Sequence, residues 1–150
     1  FTMYLPNEDN QHISRKKLYG QICSLLGGRA AEELTQDDIC TGASNDMQRA
    51  TEIARKMITK FGMSEKLGPI TYGNDNNEVF LGRDFSSTPN YSNDIAAAID
   101  GEINRIVTGE YEKAKDILNK NMSKLHLIAK ELFENEKIDG ERFVALMQEE

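Results

Sequence analysis

The most chemically pointed stretch of the 150-residue chain is Thr41-Gly42-Ala43-Ser44-Asn45-Asp46. Ser44 is suited to cap a helix running to about Phe61. At about 100° per residue, Asp46 then falls near the apolar side of that helix, shared with Ala50, Ile53 and Met57. A carboxylate at the edge of a core is costly unless something satisfies it. Two readings stand side by side. Asp46 complements the helix dipole and bonds free backbone N–H groups in the first turn, or it faces a functional partner.

A second acidic pair, Glu32 and Glu33, ends the run Gly27-Gly28-Arg29-Ala30-Ala31. A regular helix points Glu33 near the middle of its apolar face and Glu32 toward the edge. One reading is an acidic, solvated helix end. The other is a buried carboxylate paired with an arginine or orienting a metal-bound histidine. The two histidines, His12 and His126, sit in a polar turn and at the edge of an apolar stripe, and no His-Glu-x-x-His occurs. A catalytic zinc needs three protein ligands and an open position. Asp46 alone cannot hold one, and His12, Cys40 and Asp46 match no known ligand spacing. Nucleophile elbows and phosphate loops are absent as well.

Helices must position these groups. Ser14 caps a helix to about Leu34 whose apolar face is Leu18, Tyr19, Ile22, Leu25, Leu26 and Ala30. Gly20, Ser24, Gly27 and Ala31 form a small-residue stripe opposite, which predicts a helix buried on both sides by close approach of a neighbour. In the second helix Met47, Ala50, Ala54, Met57, Ile58 and Phe61 form the apolar face, and Gly62 ends it. Met3-Tyr4-Leu5 reads as a short strand stopped by Pro6. Residues 67–72 and 78–81 read as a small hairpin. Ser92 caps a long helix to about Asn119, and two further helical segments follow, the last capped by Asp139. The expected fold is mainly α, a single helical domain over residues 1–150: a bundle with a minor β element.

Composition narrows the class. Hydrophobic residues make up 39% and charged residues 29%, an ordinary soluble globular balance. The net charge of −7 with scattered Lys and Arg argues against a nucleic-acid surface. No apolar run reaches the roughly 18 residues of a membrane span. Two isolated cysteines, Cys23 and Cys40, suit a reducing cytosolic compartment. A start at Phe1-Thr2-Met3 reads as a piece cut from something longer.

Taken together, the segments resemble the protease domain of FtsH-type, membrane-anchored, ATP-dependent zinc proteases. The resemblance rests on Leu26-Gly27-Gly28-Arg29-Ala30-Ala31-Glu32-Glu33 and Thr41-Gly42-Ala43-Ser44-Asn45-Asp46. Further matches are Gly62-Met63-Ser64, Leu67-Gly68-Pro69 and Val79-Phe80-Leu81-Gly82-Arg83. It covers essentially the whole chain. It implies a mostly helical peptidase that assembles as a homo-hexamer beneath an ATPase ring, on the cytoplasmic side of a bacterial or organellar membrane. The family's zinc is held by two histidines of His-Glu-x-x-Gly-His and a downstream Asp, the position of Asp46. Glu32 matches a carboxylate close to that site. The histidine motif, with its Glu as general base, is expected upstream of Thr2. So is the ATP-consuming domain, and any membrane contact is expected through segments outside this chain. Met3, Tyr4 and Leu5 would belong to a strand beside the active-site helix, where an extended protein substrate can add by strand pairing. Cys40 departs from the small hydroxyl residue usual at its place. This chain by itself is expected to be inactive. The competing reading is a non-catalytic interaction or oligomerisation module of a pseudoprotease, separated from the first by whether the upstream motif is intact.

Overall fold

A computed structural model of the chain describes residues 12–36, 39–73 and 91–148. The helices are α1 (Arg15–Thr35), α2 (Ser44–Thr59), α3 (Asn93–Lys120), α4 (Met122–Asn135) and α5 (Gly140–Gln148). A 3-10 turn, Thr41–Ala43, leads into α2. The fold is mainly α, as the periodicity predicts. Among the described residues the β content is one isolated bridge, Ser64 to Gly68. Residues 67–73 therefore form no strand. The expected partner segment 78–81 and the Met3-Tyr4-Leu5 strand lie outside the described residues.

Three of the expected caps are present. Ser14 Oγ accepts from the Lys17 amide at 3.2 Å, and Ser92 Oγ from the Ile95 amide at 3.3 Å. Asp139 Oδ1 accepts from the Arg142 amide at 2.8 Å. Each satisfies an amide that the helix start leaves without an internal partner. Ser44 differs from expectation: it is the first residue of α2 and not its cap. The 3-10 turn explains this, because the Ser44 amide already donates to the Thr41 carbonyl and carries the chain into the helix without a side-chain cap.

Helices α1, α2 and α3 pack on one another in every pairing. Their shared core holds Leu18, Ile22, Leu25 and Leu26 from α1, Ala50, Ala54, Met57 and Ile58 from α2, and Ile99, Ile103 and Ile106 from α3. Each buried Ile, Leu or Met stabilises by about 1.5–3 kcal/mol of apolar burial. The expected faces of α1 and α2 are thus the observed ones, except that Phe61 lies beyond the end of α2 and is exposed. On the far side of α1 the small-residue stripe is open. A Cβ placed on Gly20 or Gly27 would meet no described atom within 4 Å, so the chain's described residues bury α1 on one side only.

At the end of α2, Gly62 adopts φ +58°. A Cβ there would stand 3.0 Å from the Pro69 Cα, so both the left-handed backbone and the close return of the chain require glycine. The segment folds back on α2 through the Tyr72 amide, which donates to the Thr59 carbonyl at 2.8 Å. Helices α4 and α5 pair with each other, and α4 touches α3. Leu146 is buried there, whereas Leu132 and Phe133 are exposed, Phe133 by 91%. Among the described residues, no helix is long and apolar enough to cross a membrane.

Candidate functional site

The C-terminal turn of α1 and the start of α2 come together. Asp46 sits in the first turn of α2, partly exposed. Among the described residues it pairs with Arg49, one turn on, with Nη1 at 3.7 Å from Oδ1. At that distance and exposure the pair contributes little, so the Asp46 carboxylate remains available to a stronger partner.

Glu32 faces the same turn. Its Oε1 lies 3.9 Å from where a Cβ on Gly42 would stand. Its Oε2 is buried and receives no hydrogen bond from a described residue. A buried carboxylate oxygen without a donor is costly.

Glu33 behaves oppositely. Tyr111 of α3 donates to its Oε2, and Lys115 Nζ donates to its Oε1 at 3.3 Å. The Tyr111 bond first, then the Lys115 bond, hold the Glu33 carboxyl below the usual carboxylate range. Burial, followed by its hydrogen bond to Glu33, raises the Tyr111 hydroxyl. Helical phase alone puts Glu33 toward the core and Glu32 at its edge. The structure reverses these roles, because α3 offers a hydroxyl and an ammonium to Glu33 at the edge of the helix pair.

The remaining candidates lie apart. His12 is exposed ahead of α1, and His126 is exposed on α4. Cys40 is exposed and Cys23 is buried with Ala30 and Ala114. Among the described residues no three His, Cys, Asp or Glu side chains gather as a metal site. One buried ionic group escaped the sequence reading. Glu102 of α3 accepts from Ser64 at 2.7 Å and from Arg105 Nε at 2.9 Å. A signal existed, because Glu102 interrupts the apolar run of Ile99, Ile103 and Ile106.

The model of peptidase family M41 matches residues 1–146. The chain belongs to peptidase family M41. Among its M41 relatives, ATP-dependent zinc metalloprotease FtsH 1 of Thermoanaerobacter sp. (strain X514) is 53% identical over 143 residues, 95% of this chain and 23% of the relative. The FtsH of Caldicellulosiruptor bescii is 51% identical over 150 residues, 100% of the chain and 24% of the relative. That of Bacillus subtilis (strain 168) is 49% identical over 148 residues, 98% and 23%. The chain thus spans about a quarter of the length of these relatives. Each of the three is named an ATP-dependent zinc metalloprotease.

Zinc is the metal those names imply, and the M41 chain's own residues suit it. Among the described residues, Asp46 offers a carboxylate engaged by one loose arginine pair. Glu32 offers a buried oxygen with no donor among the described residues, and a carboxylate of that kind can orient a metal-bound imidazole.

Proposed function

We propose that this M41 chain is the C-terminal part of the peptidase domain of an ATP-dependent zinc metalloendopeptidase that degrades unfolded or membrane proteins. Asp46 supplies the third protein ligand of the zinc. The other two are the histidines of a His-Glu-x-x-Gly-His helix upstream of Thr2, whose Glu is the general base. When bound, zinc activates water for attack on a peptide carbonyl.

The chain's own contribution is placement. The 3-10 turn and the start of α2 carry Asp46, and the end of α1 carries Glu32 beside them. Glu32 accepts an imidazole N–H from a ligand histidine, which fixes the ring's tautomer and orientation. The observation that carries this reading is the buried Oε2 of Glu32, without a donor among the described residues, next to the turn that leads to Asp46. Met3, Tyr4 and Leu5 hold an extended substrate by strand addition. The parent works as a membrane-anchored homo-hexamer on the cytoplasmic side, with ATP consumed by a domain outside this chain. Without the histidine helix, residues 1–150 alone bind no catalytic zinc and cleave nothing.

The test uses the full-length protein. Asp46→Ala should lose zinc and proteolysis while ATP hydrolysis continues. Full casein cleavage by that variant would remove Asp46 from the ligand set.

A further inference from the structure

The last turn of α1 is fastened on one side and used on the other. On the α3 side, Tyr111 and Lys115 occupy the two oxygens of Glu33. Just before it, Ala30 packs fully buried against Ala114, Tyr111 and Leu118. Two alanines at this crossing let α1 and α3 come close. One residue from Glu33, and about 100° round the helix, Glu32 points the other way, toward Gly42 and the turn before Asp46.

The helix end has little local support. Its C-cap, Gln36, is extended, with no glycine stop and no basic residue in the last turn. The bonds nearest the end are Thr35 Oγ1 to the Ala31 carbonyl at 2.7 Å, the Gln36 amide to the Glu32 carbonyl at 2.9 Å, and a long Cys40 Sγ contact to Gln36 Oε1 at 3.9 Å. Helix ends fray, and a site must hold its groups to within about 0.5 Å. A frayed last turn would carry Glu32 away from its place.

We propose that Tyr111, with Lys115, is a positioning residue for the metal site: by holding Glu33 it stops the end of α1 from fraying and sets Glu32 against the Asp46 turn. The inference rests on the reading of Asp46 as a zinc ligand. Lys115 is shared with Glu112 at 2.8 Å, so the Tyr111 hydroxyl carries the larger part.

The experiment compares Tyr111→Phe, Glu33→Ala, Glu33→Gln and Asp46→Ala in the full-length protease. Zinc retention against graded chelator, peptide kcat and KM, ATP hydrolysis and melting temperature are measured for each. Tyr111→Phe removes one hydroxyl and should weaken zinc retention by about tenfold and lower kcat similarly, with KM and ATP hydrolysis unchanged. Glu33→Ala should match it, Glu33→Gln should retain part of the affinity through its remaining acceptor, and Tyr111→Phe combined with Glu33→Ala should be no worse than either alone. Unchanged zinc retention and kcat in Tyr111→Phe and Glu33→Ala, with both lost in Asp46→Ala, overturns the positioning role and leaves the ligand assignment standing. Zinc and cleavage retained in Asp46→Ala overturns both. Losses that track melting temperature and ATP hydrolysis equally mark an ordinary structural contact and also overturn it.

Discussion

The Ser64 hydroxyl donates to Oε2 of Glu102 at 2.7 Å while accepting from the Leu67 amide at 3.1 Å. A buried carboxylate on α3 is thereby joined to the segment that leaves α2, and Arg105 neutralises it at 2.9 and 3.1 Å. A chain that has just ended one helix is in this way fixed against another.

Removing the carboxylate should therefore be more damaging than removing either neutral partner. Glu102→Ala leaves Ser64 and Arg105 without their acceptor and should cost about 1–3 kcal/mol. Ser64→Ala should cost about 1 kcal/mol. Because the residues share one network, the double variant should fall short of the sum. Urea denaturation of the three variants measures this directly.

Acid should find the same group. The Arg105 bond first, and then the Ser64 bond, hold the Glu102 carboxyl below its ordinary range despite burial. A carboxyl whose folded value is depressed binds its proton more readily in the unfolded chain. Its stabilisation is therefore present above the unfolded value, about 4.3, and is lost as pH falls through the lower folded value. Glu102→Gln should flatten the acid limb of a stability profile below about pH 4.3 relative to the parent sequence. Identical slopes in urea titrations from pH 6 to pH 3, as rough limits chosen around that value, would deny Glu102 this part.

Two glycines should respond in opposite directions. Gly62→Ala forces a Cβ to 3.0 Å from the Pro69 Cα at φ +58° and should cost about 1–3 kcal/mol. Gly20→Ala lies inside α1 with open space around it and should gain about 0.5–1 kcal/mol through helix propensity. Thermal unfolding of both variants compares the signs.

Core and surface should separate as sharply. Met57→Ala, at a fully buried position between α1 and α3, should cost about 2–5 kcal/mol. Phe133→Ser, at 91% exposure on α4, should change stability by less than about 0.5 kcal/mol and reduce self-association. Denaturation midpoints and sedimentation check the two halves of this expectation.

Much of the bundle was legible in the residues. Leu18, Ile22, Leu25 and Leu26 recur at helical spacing and are buried, as are Ala50, Ala54, Met57 and Ile58. Ser14, Ser92 and Asp139 cap where their types and places indicate. Asp46 was placed correctly in a first turn. Less legible was the far side of α1, where glycines suggest a close neighbour and the described residues provide none. Ser44 misled because a 3-10 turn performs the capping that a hydroxyl usually performs. Glu102 was passed over because a charge inside an apolar stripe has no meaning until its partner from another segment is known.

The sequence by itself determined the family, the helices and the position of Asp46, since motifs, periodicity and caps act over a few neighbouring residues. Tertiary structure alone decided which of two adjacent acids is bound by α3 and which is turned toward the segment before α2. Glu33 meets Tyr111 across 78 residues of chain and Glu102 meets Ser64 across 38. Those partners exist only once α1, α2 and α3 cross at particular angles and distances. Glu32 keeps a buried oxygen without a donor because the same crossing turns it toward Gly42 and away from every described donor.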